Sequence, residues 1–103
     1  MRPIKLSKTG TGSTSPVPMD IYISPFDVSF GVVVTGTVDY TVQHTFDDIY
    51  DTTITPTWWP HSVVASKTVN FSGEYDFPVR AIRATVNSGA GSISVDIIQS
   101  GLV

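Results

Sequence analysis

Cysteine is absent from the 103 residues, which excludes disulfide frameworks, thiolate zinc sites and cysteine nucleophiles. Charge is scarce as well. Charged residues make up 15% of the chain, against about 25% in a typical soluble domain. Lysine and arginine together number 6 and the formal net charge is −3. The chain therefore lacks the basic footprint with which proteins release counterions from nucleic acid, and no nucleic-acid partner is expected. No apolar run comes near the ~20 residues that a helix needs to cross a bilayer, so no membrane partner is expected. The leading residues, Met1-Arg2-Pro3-Ile4-Lys5-Leu6-Ser7-Lys8, hold no apolar stretch of the secretory kind. The expectation is a chain used as translated and made in a cytoplasm.

What remains is a chain with 41% hydrophobic residues and abundant Ser and Thr. Its length suits one domain, and a core of that size folds without cross-links. Residues 7–18 read Ser-Lys-Thr-Gly-Thr-Gly-Ser-Thr-Ser-Pro-Val-Pro and show no apolar periodicity, which is linker composition. Residues 1–17 are therefore expected to be an extended N-terminal arm reaching up to ~60 Å at ~3.3–3.6 Å per residue. Ile4 and Leu6, alternating with Lys5, suit a strand added to another sheet.

Residues 18–103 are expected to form a single β-sandwich domain. From Met19 the apolar period is two: Ile21 and Ile23 oppose Tyr22 and Ser24, and after Pro25, Val28, Phe30, Val32 and Val34 share a face. Val38, Tyr40, Val42, His44 and Phe46 then alternate with Thr37, Asp39, Thr41, Gln43 and Thr45, the pattern of a strand with one buried face. Gly36 between these runs predicts a hairpin turn. Residues 47–60 read as irregular, with a short edge strand at 52–55. Further strands are predicted at 62–71 and 75–79, joined by Ser72-Gly73-Glu74. In residues 80–87, Ile82, Ala84 and Val86 face inward. A turn at 87–91 follows, and the strand at 92–99 buries Ile93, Val95 and Ile97. No segment has helical spacing behind a capping box. Seven or eight short strands between turn signals predict an all-β, antiparallel, jelly-roll-like sandwich.

The residues with chemistry to offer are few. His44 lies on the apolar face of the clearest strand, the place of a neutral, hydrogen-bonded core or interface histidine, and His61 is in a loop after Trp58-Trp59-Pro60. No Gly-x-Ser-x-Gly elbow sets a serine beside a base, so a hydrolase is the weakest reading and no catalytic residue is assigned. Asp47, Asp48 and Asp51 offer oxygen ligands without EF-hand spacing, and a solvated loop is expected in place of a cation site. No cofactor and no metal are expected. Trp58 and Trp59 point opposite ways in an extended segment, one inward and one outward, and large aromatics anchor interfaces. Arg83 suits a cross-strand pair, a contact between subunits or a plain surface position. The candidate interface contacts are Ile4, Leu6, Trp58, Trp59, His61 and Arg83.

Four stretches carry a resemblance. They are Tyr40-Thr41-Val42-Gln43-His44-Thr45-Phe46-Asp47-Asp48, Trp58-Trp59-Pro60-His61, Tyr75-Asp76-Phe77-Pro78-Val79-Arg80-Ala81-Ile82-Arg83 and Ile97-Ile98-Gln99-Ser100-Gly101. In this order, over about residues 38–101, the chain resembles small head proteins of tailed double-stranded-DNA bacteriophages. It is similar in particular to the cement, or decoration, proteins of their capsids. The resemblance implies a jelly-roll-like sandwich, often a homotrimer, that bridges neighbouring capsomers on the outer capsid surface with the major capsid protein as partner. Tail and adaptor proteins of virions use similar sandwiches. No functional motif of the family falls on named residues. The alternative is a carbohydrate- or receptor-binding module, motivated by Trp58, Trp59 and Tyr50.

Overall fold

Alternating apolar residues become paired strands when two such faces close on each other and exclude water. The structure, a computed structural model, describes residues 3–22 and 26–99. The alternation expected at Ile23 and Ser24 lies outside the described residues, as do residues 1–2 and 100–103. Among the described residues there is no helix, and nine strands follow one another. These are β1 (Ile4–Thr9), β2 (Gly12–Ser13), β3 (Val17–Pro18), β4 (Val28–Thr35), β5 (Asp39–Thr45), β6 (Trp59–Pro60), β7 (Phe71–Tyr75), β8 (Ala81–Ser88) and β9 (Ser92–Gln99).

One sheet runs β1-β9-β4-β7; the other runs β2-β8-β5-β6, with β3 also paired to β8. Every pairing is antiparallel and the pairs are nested: β1 with β9, β2 and β3 with β8, β4 with β7, β5 with β6. The chain is thus one long double strand, folded back around residues 46–58 and rolled so that successive pairs fall in opposite sheets. Val28, Phe30 and Val32 of β4 and Ile93, Val95 and Ile97 of β9 form one inner face. Tyr40 and Val42 of β5 with Ile82, Ala84 and Val86 of β8 form the other. Each of these valine, isoleucine and phenylalanine side chains taken from water contributes roughly 1.5–3 kcal/mol. The inward sets read from the alternation are buried except at two strand ends: Val34 is only partly buried and Phe46, just past the end of β5, is 56% exposed, while Thr41 and Thr45, expected on the opposite face, are buried.

The expected arm is part of the sandwich. Ile4 pairs with Ile97 and Leu6 with Val95 on the outer edge of β9, and both side chains lie half-buried against the core. The Gly/Ser/Thr stretch that follows makes specific bonds. The Ser13 and Thr85 hydroxyls meet at 2.8 Å, and Thr14 accepts the Ala84 N–H at its hydroxyl (3.0 Å). The Gln99 side chain accepts the Asp20 N–H and donates to the Asp20 carbonyl. Without these strands β8 and β9 would leave a row of backbone donors and acceptors unpaired, which favours pairing within the chain.

Gly36 does not turn a hairpin, because β4 and β5 lie in different sheets. It sits in one of three arches that carry the chain across the same end of the sandwich. The arches are tied together: Gly10 N–H donates to the Gly91 carbonyl (3.1 Å), and Gly91 N–H donates to the Thr37 carbonyl (3.0 Å). Gly89 adopts φ 101°, and a Cβ there would strike the Thr37 carbonyl oxygen. The strand expected at 52–55 is a turn and bend. Of the predicted 62–71 and 75–79 strands only Phe71 and Tyr75 belong to β7, and Gly73, taken for a turn, lies at its centre. Gly73 is there for space: a Cβ would come 2.8 Å from the Phe30 ring and 3.3 Å from the His61 ring.

Candidate binding pocket at the seam of the sandwich

β6 and β7 are the last strands of their sheets on the same flank, and the sandwich is open between them. The segment after β6 turns back along β5: His61 N–H donates to the Val42 carbonyl, Val42 N–H to the Val64 carbonyl, and Tyr40 and Lys67 exchange bonds. This covers the edge of β5 and leaves a cavity of about 400 Å³ along β7, lined by His44, His61, Ser62, Val63, Ser72, Glu74, Asp76 and Phe77 among others.

His61 closes the floor. Its Nδ1 accepts the N–H groups of Val63 (3.1 Å) and Val64 (3.0 Å), so the ring proton sits on Nε2 and is donated to the Glu74 carbonyl (3.0 Å). The ring stands edge-on to Phe30 and Tyr75 at centroid separations of 5.1 and 4.9 Å. Expected as an interface contact in a loop, His61 is instead buried and clips the two sheets together.

His44 behaves differently. It is 7% exposed, with Nδ1 at 2.9 Å from the Tyr75 hydroxyl. Burial, and secondarily the neighbouring His61, hold its pKa below the ordinary imidazole range, and burial pushes that of Tyr75 up. Both groups are therefore neutral at pH 7. His44 Nδ1 is the hydrogen-bond partner of the Tyr75 hydroxyl among the described residues. The phenol accordingly donates to Nδ1, and His44 carries its proton on Nε2. No buried side-chain nitrogen or oxygen among the described residues lacks a partner, so Nε2, which bonds to no described protein atom, opens on the cavity that His44 lines. Phe46 and Phe77 stand edge-on to the same ring at 5.3 and 5.6 Å, both partly in solvent.

The other sequence-derived candidates fall elsewhere. Arg83 and Trp58 lie together on the outer face of the β2-β8-β5-β6 sheet, the guanidinium 4.2 Å from the indole centroid. Arg83 Nε–H donates to Gln43 (2.8 Å), which also accepts the Thr85 hydroxyl. These groups occupy one another. Trp59, opposite His44 in the β5–β6 register, is 51% exposed. Neither tryptophan enters the core, because β6 is an edge strand beyond which no second layer lies. The acidic loop folds itself: Asp47 accepts the Thr57 N–H, Asp48 the Tyr50 N–H, and Asp51 both the N–H and the hydroxyl of Thr53. Among the described residues no group of three or more His, Asp or Glu is placed to hold a metal ion.

Of the pocket's residues, sequence reasoning singled out the histidines and assigned no role to Ser62, Asp76 and Phe77, nor to Tyr75 behind His44. The available signal was a histidine on the apolar face of a strand. What brings Asp76 and Phe77 beside it is the return of β7 across the seam, a contact 31 residues away between His44 and Tyr75. No protein-family model and no curated protein matches the chain.

Proposed function

We propose that the chain is a virion structural protein, a capsid cement protein that docks as a homotrimer on the outer surface of a phage head and bridges neighbouring capsomers. It works by contact, without catalysis, and its partner is the major capsid protein. The nested pairs, with sheets β1-β9-β4-β7 and β2-β8-β5-β6, support reading the sandwich as a jelly roll, an architecture that serves viral capsid proteins and lectins alike. Architecture alone does not assign a role.

The observation that carries the reading is the outer face of the β1-β9-β4-β7 sheet. Ser29, Gly31 and Val33 of β4 lie there beside Ser94, Asp96 and Ile98 of β9. Val33 is 53% and Ile98 44% exposed, and beside Gly31 there is open space where a side chain would stand. Lys5 and Asp96 neutralise each other at 3.7 Å. Four strands ~4.8 Å apart, two of eight residues and the others of six and five at ~3.3 Å each, make this face roughly 430 Å². That is short of the ~800 Å² per partner of a standard stable interface. One copy would bind weakly, and tight attachment needs several linked copies acting by avidity. A trimer supplies them.

The test is to quantify the chain in purified virions and to sediment the purified protein with empty heads. Expected are a copy number comparable with that of the shell protein and co-sedimentation that Val33→Asp and Ile98→Asp abolish while the β circular-dichroism spectrum persists. A copy number of a few would move the protein to a tail or adaptor, and absence from virions would overturn the reading.

A further inference from the structure

The seam pocket is built from residues that the proposed shell docking does not use. Its volume of about 400 Å³ lies within the ~300–1,000 Å³ of ligand sites. Its floor presents one pre-aimed donor, Nε2–H of His44, whose ring is held by the Tyr75 hydroxyl and by the rings of Phe46 and Phe77. Its rim presents acceptors: the carboxylates of Glu74 and Asp76, neither ion-paired to a described residue, and the Ser62 hydroxyl. Phe77, 44% exposed, forms an apolar wall.

The lining limits the charge of the ligand. An anion would meet two carboxylates. A metal ion would find no group of three or more His, Asp or Glu among the described residues to hold it. An apolar molecule would strip water from the His44 N–H without replacing its hydrogen bond, which is costly. What fits is an organic molecule without negative charge, rich in both donors and acceptors, and apolar on one flat face. A sugar ring without an acidic group has all three properties.

We propose that the seam pocket binds a sugar without an acidic group, with His44 Nε2–H donating to a sugar oxygen, Asp76 accepting hydrogen bonds from sugar hydroxyls and Phe77 lying against the apolar face of the ring. This moves carbohydrate recognition from the tryptophans, of which Trp58 is already covered by Arg83 and neither lines the pocket, to His44, Asp76 and Phe77. The pocket opens on the flank of the sandwich and not on the outer face of the β1-β9-β4-β7 sheet, so both activities are compatible on one molecule.

Titration calorimetry and saturation-transfer NMR on the full chain would use glucose, galactose, mannose and N-acetylglucosamine, with glucosamine and glucuronate as the charged comparisons. At least one of the neutral sugars or glucosamine is expected to bind saturably and more tightly than glucuronate, which the two carboxylates repel. Asp76→Ala and Phe77→Ala, both at exposed positions, are expected to weaken binding about tenfold or more, and Trp58→Ala to leave it unchanged. The proposal is overturned if none of these sugars binds, if glucuronate binds best, or if binding survives both pocket substitutions. Val33→Asp separates the two proposals: it leaves sugar binding intact whether or not shell docking fails.

Discussion

His44 and His61 both carry a proton on Nε2, yet the structure gives them different work. His61 spends that proton on the Glu74 carbonyl, while that of His44 opens on the cavity. The cost of keeping His44 neutral shows in the pH dependence of stability. Its folded pKa is depressed by burial and by His61, while in the unfolded chain it returns to about 6.5. The unfolded state therefore binds more protons below that value. The contribution of neutral His44 is complete above about pH 6.5 and is lost as pH falls towards the folded pKa. The thermal midpoint is expected to fall between pH 7 and 5, and to fall less in His44→Gln, which does not titrate there. Tyr75→Phe leaves His44 Nδ1 without its donor and should cost about 1–3 kcal/mol in chemical denaturation.

At the scale of elements, two features decide stability. The arches at one end cross so closely that a side chain has no room at Gly89, which also has φ 101°. Gly89→Ala should destabilise by about 1–3 kcal/mol, read as a lower urea midpoint with an unchanged slope. The second feature is β1, which covers the edge of β9. Deleting residues 1–9 bares that edge and the flank of Ile93, Val95 and Ile97. The truncated protein should melt earlier and aggregate through the exposed edge. Truncation that left the melting curve unchanged would contradict the role of β1. An arm that merely reached a neighbour would have been dispensable to the fold.

Across the whole molecule the nested pairing joins residues near both ends, such as Ile4 with Ile97. Contacts of such sequence separation require long loops to close before they stabilise anything. Folding is therefore expected in the millisecond-to-second range in stopped-flow refolding, slower than a helical chain of equal length. The roll also separates surfaces. The broad low-charge face and the seam pocket fall on different sides of one body, so Phe77→Ala is expected to leave co-sedimentation with heads unchanged. If that variant lost shell binding as fully as Ile98→Asp, the pocket and the docking face would be a single interface.

The amino-acid sequence by itself determined the class of fold and the core of four main strands. Alternation of Val28, Phe30 and Val32, of Tyr40 and Val42, of Ile82, Ala84 and Val86, and of Ile93, Val95 and Ile97 is a local property, set by the pleat of the backbone and readable without knowing any partner. Which strands pair is not local. Gly36 suits a hairpin and an arch equally, and a Ser/Thr/Gly stretch suits a linker as well as an edge strand until a sheet edge is there to bond it. Tertiary structure alone made those choices, and with them it built the pocket. The Nε2 of His44 acquires a function only when β7, arriving from the other sheet, sets Tyr75 behind it and Asp76 and Phe77 in front.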